Sequence, residues 1–394
     1  MRANRDLSRS VAHLGPGGRL FYGLVHGTRF AWFYAQSRLA ARRMTPIARK
    51  ADLSETPARM PDRDDVFARL GQLLRRDLDN IDAGLYRMPR DLLPRPLATL
   101  RLSRKFFADL TSVDRRRQSG AGQEIYASAA RAGARRFPRY FLQNFHFQTD
   151  GYLSDESAEL YDYQVDVMFY GAADTMRRQA LVPLGETLGG RRIGGMRLLD
   201  IGAGTGRFLA SVKDNYPQLS AVALDLSPHY LRRARAALAR KTRCTFVNAA
   251  AETMPLMDAS VDVVTCLYLL HELPRKIRHA VAREATRVLK PGGRLIVVDS
   301  LQVGDDPPLD PLLELFPRAY HEPYYADYVR TDLERLFADA GLKYVSSELA
   351  FFSKVMVFDK PIGGRVVSAR HRQGRRDHTR SDPKHAPKRS DIPR

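Results

Sequence analysis

Residues Leu198 to Phe208 read LLDIGAGTGRF, an apolar run that feeds directly into a DxGxGxG loop. Glycines at 202, 204 and 206 permit a tight turn and a close approach to a ligand with no Cβ in the way. A helix opening at Gly206 and Arg207 has free N–H groups that can point at such a ligand. A second apolar run, AVALD, ends in Asp225, 19 residues after Gly206, where a carboxylate can accept two ribose hydroxyls. These features describe a nucleotide-type pocket.

The order of motifs resembles the class I S-adenosylmethionine-dependent methyltransferases. Dehydrogenase fingerprints usually read GxGxxG, whereas this loop opens on Asp200; in the methyltransferase family the acidic residue there lies beneath the sulfonium and amino-acid end of the cofactor. AAAETMPLMDASVDVV (249–264) looks like the family's loop after strand 3 and its strand 4, and REATRVLKPGGRLIVVD (283–299) looks like its entry to strand 5. The resemblance covers about residues 150–360 and, through RVLKPGG, is closest to the small-molecule, quinone-biosynthesis type. It implies S-adenosylmethionine as cofactor, held by Asp200, Gly202, Ala203, Gly204, Thr205, Gly206, Asp225, Leu226, Ala250, Ala251 and Leu267. Family members commonly carry an acid two residues before Glu252 to receive the adenine amino group, and this chain has Ala250 there. Adenine recognition then falls to the N–H groups of Ala250 and Ala251, or to Glu252 reaching back.

The loop CLYLLHELP (266–274) follows strand 4, where the family's acceptor binds. The acidic or Asn residue before Pro-Pro-aromatic that base-amino methyltransferases use is missing, and Cys266 has no proline before it, as a cytosine-carbon nucleophile needs. Instead the loop offers His271, a base that titrates near neutral pH, with Glu272 beside it. Such a base suits a phenol, an enol or a carbon acid; a structural histidine is the other reading. Between Phe137 and Tyr170 lie ten Phe/Tyr residues, and YHEPYY (320–325) adds a second aromatic group. Two aromatic walls imply a flat or lipophilic acceptor, although some of these rings must join the helical region to the sheet. The expected function is methyl transfer to a small phenolic, quinol-like or polyketide-like molecule. The alternatives are an RNA or DNA methyltransferase anchored by basic ends, and a non-catalytic cofactor-binding scaffold.

The elements that must position these residues follow from pattern. Strands near 196–201, 221–225, 244–248, 261–267 and 293–298 alternate with helices, and two more near 343–350 and 352–359 close the sheet. This is an α/β, Rossmann-like, doubly wound and mostly parallel sheet, expected in the order 3-2-1-4-5. Ser227 and Pro228 cap one helix, and Thr331 is expected to cap a later one. Ahead of the sheet, Asp62 can cap a helix striped by Val66, Phe67, Leu70, Leu73, Leu74, Leu78 and Ile81. A second helix after the prolines at 94 and 96 should turn Leu100, Phe106, Phe107, Leu110 and Val113 inward.

The resulting division is a helical N-terminal extension (1–120), an aromatic-rich linker or lid (121–180), the methyltransferase domain (181–360) and a disordered basic tail (361–394). Of the formal net charge of +20, residues 1–60 hold +8 and residues 361–394 hold +7, so the region between is electrically ordinary. The tail lacks aromatic residues interleaved with its charges, so any nucleic-acid contact should be non-specific. The aromatic segment Leu20 to Ala40 has only eight uncharged residues between Arg29 and Arg38, too few to span a bilayer. It can pack onto neighbouring helices or lie in an anionic membrane interface. No apolar core with a cleavage site follows the basic start, and Cys244 and Cys266 fall on separated strands as small buried hydrophobes. The expected setting is the cytoplasm, with peripheral membrane contact open, no metal site and an oligomeric state left undetermined by sequence.

Overall fold

The computed structural model describes residues 14–46, 60–89, 92, 95–131 and 137–363. The expected basic tail lies outside these from residue 364 onward. The N-terminal helices pack by their apolar faces. Helix α1 (Pro16–Arg43) has proline at its first position and Arg42 and Arg43 in its last turn, both favourable placements. It buries Tyr22, Val25, Phe33 and Ala40 while leaving Leu20, Phe21 and Leu24 exposed. No helix among the described residues is long and apolar enough to cross a membrane. Helix α2 (Arg63–Asp82) buries Val66, Leu70, Leu73 and Ile81, the stripe its spacing predicts. Helix α3 (Pro96–Ser119) turns Phe106 and Leu110 inward, but Leu100 points outward. Leu97 beside it is also exposed, so the packed part of α3 begins one turn later than expected.

Short helices α4 (Glu124–Arg131), α5 (Asp155–Met168), α6 (Ala173–Arg178) and α7 (Leu181–Leu188) lead into the sheet. Asp77 of α2, fully buried, accepts from the Tyr22 and Tyr86 hydroxyls at 2.7 and 2.8 Å and from the Arg178 guanidinium at 2.6 and 3.0 Å. This network fastens α1 and α2 to α6, and one apolar cluster runs from Tyr22 and Leu73 to strand residues Leu199 and Ile296.

Strands β1 (Arg197–Ile201), β2 (Ser220–Asp225), β3 (Cys244–Asn248), β4 (Val261–Leu267), β5 (Leu289–Ser300) and β6 (Lys343–Ala350) run in one direction and β7 (Ser353–Asp359), between β5 and β6, runs antiparallel to both, in the order β3-β2-β1-β4-β5-β7-β6. The first five stand in the expected order. Helices α8 (Arg207–Asn215), α9 (Pro228–Ala237), α10 (Arg275–Val288), α11 (Asp310–Tyr320), α12 (Tyr325–Tyr328) and α13 (Leu333–Asp339) flank the strands. Ser227 caps α9 by accepting from the Tyr230 N–H, as expected. Helix α13 is capped by Asp332, whose carboxylate accepts from the Arg335 N–H at 2.9 Å, and Thr331 instead donates its hydroxyl to the Asp327 carbonyl. Cys266 is buried, but Cys244, at the start of edge strand β3, is only half-buried because one flank of that strand has no neighbour.

Candidate active site

The loop after β1 and the end of β2 are bound to each other. The Asp225 carboxylate accepts from the N–H of Gly204 on one oxygen and of Ser227 on the other, both at 2.8 Å. An ionised carboxylate offers about four lone-pair sites, so each oxygen retains capacity for a further donor. Burial pushes Asp225 up to about 6, against the opposing effect of those N–H groups. The loop glycines differ in function. All three have positive φ, but a Cβ on Gly206 would meet the Cβ of Ala234 at 3.0 Å, whereas one on Gly204 would meet nothing nearer than 4.0 Å. Gly206 therefore permits α8 to pack on α9, and Gly204 leaves open space beside the carboxylate.

That space belongs to a cavity lined by Gly202, Gly204, Asp225, Leu226, Ala251 and Leu267, closed on its other side by Tyr140, Phe141, Phe145, Tyr152 and Tyr161. Half of the ten aromatic residues between 137 and 170 thus face it. Other residues implied by the family resemblance are not among the side chains that line it. Asp200 is buried, accepts from the Thr265 hydroxyl at 2.6 Å and is pushed up to about 7 by burial. Thr205 donates to Asp162 at 2.8 Å, the Ala203 N–H donates to the Leu224 carbonyl, and the Ala250 carbonyl accepts from the Thr253 N–H.

His271 faces a second cavity, of about 300 Å³, lined also by Tyr268, Tyr320, Tyr325, Phe316 and Arg177. It shares Tyr161 and Tyr268 with the first cavity. Tyr268, directly after β4, has φ +54°, a left-handed backbone that non-glycine residues adopt only where the surroundings enforce it. Its N–H donates to the Val298 carbonyl and its hydroxyl pairs with Ser353, which fixes the ring between the two spaces.

The acid that holds His271 is Asp299, at the carboxyl end of β5, and not its neighbour Glu272. The imidazole Nδ1 donates to Asp299 Oδ1 at 2.5 Å. Burial pulls the imidazole down, but the charge and hydrogen bond of Asp299 outweigh it and raise the group to about 9. Glu272 turns to the first cavity, where its carboxylate accepts from the Tyr152 hydroxyl at 2.5 Å and is pushed up to about 7 by burial. Successive residues of one tight turn thus serve different cavities.

Residues 198–293 match the family model described as "Methyltransferase domain". Over that stretch the chain is similar to methyltransferase domains. Among curated proteins, it is 31% identical over 169 residues to the ubiquinone/menaquinone biosynthesis C-methyltransferase UbiE of Syntrophotalea carbinolica, covering 43% of this chain and 66% of that protein. The UbiE of Shewanella sp. strain W3-18-1 is also 31% identical over 169 residues, with 39% and 64% covered. The chain therefore spans just under two thirds of the length of these relatives. A SAM-dependent methyltransferase structure from Aquifex aeolicus aligns at 17% identity and a TM-score of 0.38, covering 53% of this chain and 99% of that one.

S-adenosylmethionine is the cofactor this family implies, and the first cavity fits it. The Asp225 carboxylate has lone pairs to spare for the ribose, and the backbone at Gly204 leaves room beside it. Where the methyltransferase family commonly has an acid, this chain has Ala250, and Glu252 nearby accepts from the Tyr140 hydroxyl at 2.7 Å. Asp299 and the pairing of Tyr140 with Glu252 escaped the sequence reading. The only sequence signal for Asp299 was its place at the end of a parallel strand next to β4, where ligands of such sheets collect.

Proposed function

We propose that the protein is an S-adenosylmethionine-dependent methyltransferase whose acceptor, a small aromatic or lipophilic molecule, binds in the second cavity beside His271. The observation that carries this reading is a histidine held by a buried carboxylate on the wall of one cavity, with the cofactor-type cavity sharing two tyrosines of that wall. Held at Asp225 and the Gly204 turn, the cofactor would supply an electrophilic methyl group on a sulfonium, with a neutral thioether as the leaving group. His271 Nδ1 is committed to Asp299, which leaves Nε2 to take the proton from an acceptor hydroxyl or carbon acid. The Asp299 carboxylate stabilises the imidazolium that results. Tyr268, Tyr320, Tyr325 and Phe316 offer apolar faces that would orient a flat ring and keep water from the transfer.

The names of the relatives point to carbon as the accepting atom and to quinone biosynthesis, which supports a quinol-like acceptor. A raised imidazole is also the stronger base that a weakly acidic phenol requires. Incubation with methyl-labelled S-adenosylmethionine and a panel of phenols, quinols and a transfer-RNA pool tests the reading. Label should enter a small aromatic molecule; label found solely in the RNA would contradict the proposal.

A further inference from the structure

A third cavity, of about 370 Å³, lies against the second. Tyr161, Val165, Met168, Ala319 and Tyr320 line both, so the two spaces adjoin. The far chamber is built by the helical extension: Ala40 and Met44 of α1 and its C-terminal end, and Phe106, Leu110 and Val113 of α3. These side chains lie outside residues 198–293, so the methyltransferase match says nothing about them. The second chamber already exceeds what a single methylated ring requires, and the third roughly doubles the space with mostly hydrocarbon walls.

From this adjacency and the apolar lining of both spaces we infer that the helical extension forms an arm site: the acceptor is an elongated molecule whose reacting ring sits by His271 and whose apolar arm runs between α1 and α3. An apolar chamber gains affinity in proportion to the hydrocarbon surface it removes from water. The cation on its wall, Arg117, is already paired with Asp114 at 2.6 Å, and the other polar groups there include His146 and Gln164. The inference rests on the reading of the second cavity as the acceptor site.

Trp32, the single tryptophan of the chain, lies on α1 and packs against the apolar cluster of Phe33, Phe106 and Leu110, so its emission reports on this region. The full chain with bound S-adenosylhomocysteine would be titrated with 4-ethyl-, 4-butyl- and 4-octylphenol. Affinity should rise about tenfold or more from the ethyl to the octyl probe. Val113→Phe, which fills the far chamber, and Ala319→Leu, which narrows the junction, should each flatten that rise while S-adenosylhomocysteine affinity is kept. Affinity independent of arm length, or an unchanged rise in variants that retain the wild-type melting temperature, overturns the arm site. Replacing the product by methyl-labelled cofactor separates the two readings. Arm-length dependence without methyl transfer sustains the chamber and removes the acceptor reading; transfer without arm-length dependence removes the chamber alone.

Discussion

Asp299 holds His271 twice over: one carboxylate oxygen accepts from the imidazole Nδ1 at 2.5 Å, and the other accepts from the backbone N–H of Leu270 at 2.8 Å. The ring and the backbone turn that presents it are thus fixed by one residue of the neighbouring strand. That arrangement sets the tautomer and makes the imidazole more basic.

The first consequence is a pH profile. With His271 raised to about 9, kcat/KM for a weakly acidic acceptor should climb with pH and level off above about 9. Asp299→Asn should move that limb toward 6.5, the ordinary histidine value. Stability runs the other way. A folded-state value above the unfolded one contributes stability that is complete below 6.5 and is lost as pH rises through about 9. Melting temperatures of wild type and Asp299→Asn should therefore differ more at pH 6 than at pH 10, and a constant difference would remove the linkage.

Cofactor binding should depend on Asp225. Loss of a charged acceptor costs about 1.5–3 kcal/mol, so Asp225→Ala should weaken S-adenosylmethionine binding by about tenfold to a hundredfold. The wild-type site should also weaken below pH 6, where the buried carboxylate takes up a proton in the free protein. Calorimetry at pH 5 and pH 7.5 measures both, and undiminished affinity in the variant would contradict the assignment.

The loop glycines make a comparative prediction. Alanine at either 204 or 206 is strained by the positive φ, at about 1–2 kcal/mol. At 206 the added methyl also collides with Ala234. Gly206→Ala should unfold at lower urea concentration than Gly204→Ala, and the reverse order would refute the division of roles.

How much of this was legible in the chain varies with distance along it. The seven strands could be read from apolar runs between capped helices, and the loop at 202–206 and Asp225 declared themselves because their chemistry is local. His271 was visible, but its partner lies 28 residues away and reaches it only once β5 lies against β4. The pairing of Tyr140 with Glu252 spans 112 residues, and no periodicity encodes it. Leu100 shows the limit of spacing arguments, since an apolar residue at the right interval stays exposed when no neighbouring element reaches it.

Buried charge joins α2 of the helical extension to α6. Asp77 and Arg178 are both almost fully buried, and removing one partner strands the other's charge, at about 3–5 kcal/mol. Asp77→Ala should lower the denaturant midpoint severely, whereas an apolar replacement of both, Asp77→Leu with Arg178→Met, should recover much of the loss. Equal loss in the single and double variants would contradict this account.

The most direct measurement is the single-turnover rate of methyl transfer from labelled S-adenosylmethionine to the best small acceptor, in wild type and in His271→Ala, with cofactor affinity and melting temperature recorded for both. Transfer should fall about a hundredfold or more in the variant while cofactor affinity is unchanged. A folded variant that keeps most of its rate would contradict a base at His271 and leave the pair with Asp299 a purely structural role.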